Sequence, residues 1–214
     1  SLQLALIYKP QQASIQEWLA HLQPEENRFH EAWVVKDLRE LSVQTAQEPF
    51  HTTTLLQQTV AKVNANGLSQ KFTQVAMRVN AREGIYDAST HRNYYQLGDE
   101  TVDVLGVRIH KQDGTTLEDY DVWQSNNSRK DNTVYNDNGY YTLRANNVDV
   151  GDIVEFRYRI NQVANQNFRG DYFGDITYVQ STEPVSFMRY ALIYPEPWKL
   201  FFRSPKLPHT RLDN

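Results

Sequence analysis

The sequence predicts a mainly β protein: an antiparallel β-sandwich, immunoglobulin-like or larger, with a short helical segment at its N-terminus. Three observations predict it. Across residues 146–163 (NNVDVGDIVEFRYRINQV), Val154, Phe156, Tyr158 and Ile160 fall on alternate positions, with Glu155, Arg157 and Arg159 between them. That two-residue period marks a strand buried on one face. Short stretches of the same kind recur along the chain, separated by turn residues. Thirteen Tyr and nine Phe also tilt the composition toward sheet.

Residues 1–24 stand apart. Leu2, Leu4, Ala5 and Ile7 precede Pro10, and Ile15, Trp18, Leu19 and Leu22 follow at helical spacing. Proline cannot sit inside a helix, so two short helices are expected, broken at Pro10. The pattern is similar to the tail of a tetratricopeptide-type repeat, or it forms a plain helical cap. Residues 25–214 are expected to form one sandwich domain, and the abrupt ends suggest a segment of a longer protein.

Within that domain, His30 to Lys36 could continue a helix, but Trp33-Val34-Val35 favours a strand. Phe50 to Val63 and Lys71 to Val79 should pair as a hairpin across the Asn64–Gly67 turn. Tyr94-Tyr95 comes next. The alternation then slips between Val102-Val104 and Leu105-Val107-Ile109, which predicts a bulge near Gly106. Asp113-Gly114 suits a type I′ hairpin turn, with Leu117 to Trp123 as the return strand. A polar loop, 124–139, leads to the strand Tyr140–Arg144. Asp149-Val-Gly151-Asp152 then provides a tight turn into the central alternating strand. Phe173–Gln180, Val185–Tyr194 and Trp198–Phe202 read as the last strands.

The net charge of −4 and pI near 5.9 give no footprint for nucleic acid or anionic lipid. With no cysteine, disulfides, thiolate zinc sites and a cysteine nucleophile are excluded. No run is long and apolar enough for a membrane helix, so no membrane insertion is expected. The six histidines show no ligand spacing, and neither metal nor cofactor is expected. Asp131–Gly139 looks like a calcium loop, but Val134 occupies the first ligand position. Arg169-Gly170-Asp171 is short enough to arise by chance, and the sequon Asn126-Asn127-Ser128 matters only in a secretory eukaryotic host. Glu118, Asp119 and Asp121 lie on one strand end, which cannot set the separation a glycosidase pair requires.

Two groups of residues are candidates for binding. Trp123, Tyr94, Tyr95, Tyr140 and Tyr141 could form an aromatic platform for glycan or peptide beside the 124–139 loop. In 185–194, Val185, Phe187, Ala191 and Ile193 share one face while Met188, Tyr190, Leu192 and Tyr194 share the other. Such a strand is either central between layers or packs on something outside the segment.

Four pieces in order resemble a bacterial family, domain of unknown function 3857. They are Asn64-Ala-Asn-Gly67-Leu…Phe72-Thr-Gln74-Val75, Val107-Arg-Ile-His-Lys-Gln-Asp113-Gly114, Val150-Gly151-Asp152-Ile153-Val154-Glu155-Phe156-Arg-Tyr158, and Phe173…Val179-Gln180-Ser-Thr-Glu-Pro184-Val185…Arg189-Tyr…Pro195. The resemblance implies a β-sandwich that lies N-terminal to a transglutaminase-like domain. It transfers no catalytic residue, since the Cys-His-Asp set belongs to the neighbour. The expected function is therefore a non-enzymatic accessory module. It would pack on the transglutaminase-like domain through Met188, Tyr190, Leu192 and Tyr194, and position or shield it. The alternative is a glycan- or peptide-binding module.

Overall fold

The computed structural model describes residues 26–41, 50–65, 67–126, 138–163, 173–178, 184–196 and 198–203. The helical pattern of 1–24, the Arg169-Gly170-Asp171 tripeptide and most of the 124–139 loop lie outside them.

Among the described residues nine strands form two packed sheets, a mainly β architecture. They are β1 (Thr52–Val63), β2 (Ser69–Val79), β3 (Thr90–Gln96), β4 (Glu100–His110), β5 (Thr116–Leu117), β6 (Tyr120–Asn126), β7 (Asn138–Ala145), β8 (Ile153–Gln162) and β9 (Val185–Ile193). The large sheet has the order β5-β4-β8-β2-β1-β9, and the small one β3-β7-β6. All neighbours are antiparallel except β9, which runs parallel to β1 from Thr54↔Val185 to Lys62↔Ile193.

The expected β1–β2 hairpin is present, and the β4 register shifts between Val104 and Gly106. Gly151, at φ 91°, turns the chain into β8. Asp113-Gly114 also makes a turn, but not the type I′ expected. Only Gly114 has positive φ, Gly114 N–H donates to Lys111 O, and Lys111 N–H donates to Thr115 O. These are the marks of a three-residue loop, a type I turn closed by a left-handed residue.

Other expectations fail. Trp33-Val34-Val35 is not a strand: Glu26–Trp33 is a kinked 3-10 segment, and 34–37 are irregular. Leu117 to Trp123 is not one strand either. Leu117 pairs with Ile109 in the large sheet, whereas Tyr120–Asn126 pairs with β7 in the small one. The corner between them is held by Asn146 N–H, which donates to Asp119 O at 2.9 Å. Residues 173–178 and 198–203 form no strand, where the sequence predicts strands at Phe173–Gln180 and Trp198–Phe202. Part of the expected 124–139 loop belongs to β6 and β7. A short helix, α1 (Ile85–Ser89), leads into β3 without having been foreseen.

The two sheets meet over Val107, Ile109, Leu143, Ala145, Val154, Phe156 and Tyr158. A fully buried side chain of this size contributes roughly 1.5–3 kcal/mol. A second cluster lies on the opposite face of the large sheet, where Leu38 packs with Leu55, Leu56, Ala76 and Ile153, flanked by Val35 and Leu41. β8 is therefore central and covered on both faces, not half-buried with its charges in water. Glu155 is only 3% exposed.

Candidate functional site

Covering a strand that carries Glu155, Arg157 and Arg159 requires partners for those charges, because an unpaired buried charge is costly. The partners form a polar band across the width of the large sheet. On β9, Arg189 Nε donates to Gln58 Oε1 of β1 at 2.7 Å. Gln58 Nε2 donates to Gln74 Oε1 of β2 at 3.1 Å, and Gln74 Nε2 donates to Glu155 Oε1 of β8 at 2.7 Å. Glu155 Oε2 meets His110 Nε2 of β4 at 3.0 Å, and His110 Nδ1 lies 3.3 Å from Thr116 Oγ1 of β5. Each of the six strands contributes one member.

The band also anchors the N-terminal segment. Val35 N–H donates to Gln74 Oε1 at 3.0 Å, and Gln74 Nε2 donates to Val35 O at 2.8 Å. Trp33 O accepts from Gln58 Nε2 at 2.8 Å and from Arg189 Nη2 at 3.0 Å. The Gln74 amide thus pairs with the Val35 backbone as another strand would, satisfying groups that an irregular buried segment leaves open. Burial acts to raise the Glu155 pKa. The His110 hydrogen bond, the Arg157 charge and the Gln74 hydrogen bond outweigh it and hold the carboxyl below its ordinary range. The Arg157 contact, Nε to Oε1 at 3.1 Å, is an ion pair without hydrogen-bond geometry.

The carboxylate–imidazole–hydroxyl order of Glu155, His110 and Thr116 invites comparison with an activated nucleophile. Thr116, however, stands exposed on a two-residue edge strand. Within the band the imidazole anchors Glu155 at 3.0 Å. The other acids are occupied too. Arg108 Nε donates to Glu118 at 2.7 Å, Asn147 Nδ2 donates to Asp119 at 2.6 Å, and Asn146 Nδ2 donates to Asp121 at 3.1 Å. Lys111 Nζ donates to Asp149 at 2.8 Å and to Asp152 at 2.7 Å, pinning the turn before β8. Among the described residues no three metal-type side chains converge. Nor is any helix there long and apolar enough to cross a membrane.

The five candidate aromatics do not form one platform. Tyr95 and Tyr141 share the small sheet's inner face with Leu143, their rings 5.2 Å apart, and Gln124 Nε2 donates to the Tyr95 hydroxyl. Tyr94, Tyr140 and Trp123 take the alternate positions and share the outer face. There Tyr94 and Tyr140 lie 6.1 Å apart, and the Arg92 guanidinium sits over Tyr140 at 4.9 Å.

Met188, Tyr190 and Leu192 lie on an edge strand, half-buried, beside Gln57, Thr59 and Ala61; Tyr194 follows the strand's end. Tyr190 is already engaged within the chain. Its hydroxyl donates to Asp175 Oδ2 at 2.8 Å, and Lys71 Nζ pairs with the same carboxylate at 2.8 Å. Burial and the Asp175 charge push the Tyr190 phenol well above its ordinary pKa. Sequence reasoning missed the most exposed apolar side chains among the described residues: Phe201 at 100%, Tyr178 at 81%, Ile176 at 80% and Phe202 at 65%. They were read as strand residues. Ile176 and Tyr178, and Trp198, Leu200 and Phe202, fall on alternate positions, so the sequence carries a strand signal there and none of exposure.

A family model described as a domain of unknown function with a solved structure, DUF3857, matches residues 65–213. No curated protein matches the chain. Among solved structures, a "putative protease" from Parabacteroides distasonis aligns with a TM-score of 0.60 at 15% identity, over 69% of this chain and 29% of that one. A family IIIa CBD from Clostridium cellulolyticum aligns with a TM-score of 0.33 at 11% identity, over 52% of this chain and 72% of that one. The CBM3a-L domain of a Clostridium thermocellum scaffoldin gives 0.34 at 12%, over 60% and 79%. At 15% identity the Parabacteroides likeness is one of fold, and this chain spans 29% of that protein's length.

Proposed function

The chain belongs to the DUF3857 family, and from that premise we propose that it is a non-catalytic accessory module. It packs on a transglutaminase-like domain C-terminal to it in the same polypeptide and positions or shields that domain. One observation carries the reading. The four most exposed large apolar side chains among the described residues, Ile176, Tyr178, Phe201 and Phe202, all fall in the irregular segments around β9. Each forgoes roughly 1.5–3 kcal/mol that burial would provide, which makes this region suited to a partner surface. The absence of cysteine agrees with a catalytic thiol placed in the neighbour. In the Parabacteroides protein the matched fold occupies 29% of the chain, the proportion of one module among several.

The test compares the segment alone with the segment joined to the downstream domain. Docking predicts a higher unfolding temperature for the joined form and slower amide exchange in 173–203. Replacing Phe201 and Phe202 together with serine should remove both effects and leave the isolated segment's stability unchanged. Identical melting of the two forms, with unchanged exchange, would sink the proposal.

A further inference from the structure

The segments that leave Ile176, Tyr178, Phe201 and Phe202 uncovered also carry charge of one sign. Lys199 and Arg203 stand two residues either side of Phe201, and both are exposed. Neither takes part in a hydrogen bond, ion pair or ring contact among the described residues. By contrast Arg108, Lys111 and Arg159 each hold a carboxylate. Asp175 is the one acid within 173–178 and 198–203, and Lys71 and the Tyr190 hydroxyl already engage it. The same polarity runs along the sequence. Residues 184–214 hold five Lys and Arg against Glu196 and Asp213, a net +3, which leaves the first 183 residues at −7.

We infer that the surface covering Phe201 and Phe202 is an apolar patch rimmed by carboxylates, presented by the C-terminal neighbour. The inference rests on the docking reading and adds to it the chemistry of the partner's face. Burying Phe201 carries Lys199 and Arg203 to the rim of the contact, where each loses part of its hydration. A partner offering only apolar groups there would leave two cations uncompensated, and Glu196 alone cannot balance both. Carboxylates placed opposite them restore the balance and fix the register of docking. An anionic bilayer also suits aromatic and basic side chains, but its charge would repel the −7 remainder of the chain. A tethered neighbour, moreover, meets this face at an effective concentration of roughly millimolar order, ahead of a free partner.

The test uses the joined polypeptide, segment plus downstream domain, and reads amide-exchange protection in 173–203. Raising NaCl from about 0.1 M to about 1 M shortens the screening length from about 10 Å to about 3 Å. Protection should fall about tenfold or more across that range, whereas a purely apolar contact would hold or tighten. Lys199→Glu with Arg203→Glu should lower protection about tenfold at low salt and reverse the trend, so that added salt restores part of it. Lys36→Glu with Arg82→Glu, an equal charge change at exposed positions outside 173–203, should match the parent. Unchanged exchange in β2 and β8 shows that each variant is folded. If Phe201→Ser with Phe202→Ser removes protection while salt and the charge reversal do not, docking stands and the acidic partner face is overturned. If none of these changes alters protection, both proposals fall. Equal loss in the Lys36 and Arg82 pair also overturns the inference, since net charge alone would account for it. So does sedimentation with phosphatidylglycerol vesicles through Lys199 and Arg203, or protection that depends on protein concentration, which would assign the face to lipid or to a second copy.

Discussion

His91 is half-buried and packs against the core, although its residue type suggests a ligand. Its ring stacks on Phe156 at 5.3 Å, and its Nε2 lies 3.2 Å from the Tyr158 hydroxyl, whose own pKa burial raises to about 12. Burial lowers the His91 pKa from 6.5 to about 4, because charging the ring there loses hydration. A group whose folded pKa lies below its unfolded one stabilises fully above the unfolded value and loses that contribution as pH falls. The chain should lose about 3 kcal/mol of unfolding free energy between roughly pH 6.5 and pH 4 from this residue alone. Urea titrations at stepped pH measure it, and His91→Phe should flatten that limb. Glu155 has the same sign for a different reason, since its partners hold its carboxyl low. Its contribution fades further into acid, below its ordinary value near 4.5. Glu155→Gln can keep an acceptor for Gln74 Nε2 but leaves the buried Arg157 charge unbalanced, so a loss of about 3 kcal/mol at neutral pH is expected. A variant as stable as the parent would show that the band is dispensable.

At the level of elements, legibility followed alternation. The β1–β2 hairpin, the Gly106 bulge and β8 were readable because periodic side chains and turn residues agree there. Polar positions misled. Gln58 and Gln74 look solvent-facing in sequence, yet both are fully buried beneath Trp33 and Val35. Their being opposite one another, Gln58↔Gln74, was implicit in the hairpin register and was the one clue to the polar band. Trp33-Val34-Val35 read as a strand for its β-branched residues, but side-chain amides, not a neighbouring strand, satisfy its backbone. The corner at Asp119 coincides with a slip in apolar spacing, from Leu117 to Tyr120 and Val122, so the signal for two strands is present in the sequence. Of the binding candidates, alternation alone would have separated Tyr94 from Tyr95 and Tyr140 from Tyr141. If Gln74 is the fastening for 33–38, Gln74→Leu should cost about 2–3 kcal/mol, having orphaned Val35 N–H and C=O. Hydrogen exchange at the Val35 amide should accelerate well before the amides of β1 and β2 do. Equal acceleration throughout would mean that the segment has no latch of its own.

Across the whole molecule, the least legible feature is the pairing of β9 with β1. Arg189 and Gln58 are 131 residues apart and nothing local announces their contact. Parallel pairing over such a distance is slow to form, because loop closure precedes any stabilising contact. Until β9 docks, β1 is an open edge of twelve residues rich in Thr, Leu and Val. Such an edge is a template for pairing with other chains. β9 also brings Arg189 to Gln58 and Trp33 O, so its arrival closes the polar band and fixes the N-terminal segment together. A chain stopped after residue 183 should therefore keep the β2–β8–β4 arrangement but lose protection at Val35. It should also self-associate through β1, seen as concentration-dependent light scattering. Introducing Lys at Thr59, on the face shared with Tyr190, should suppress that association by placing charge on the exposed edge. A truncated chain that stays monomeric at high concentration would mean that β1 is protected by something other than β9.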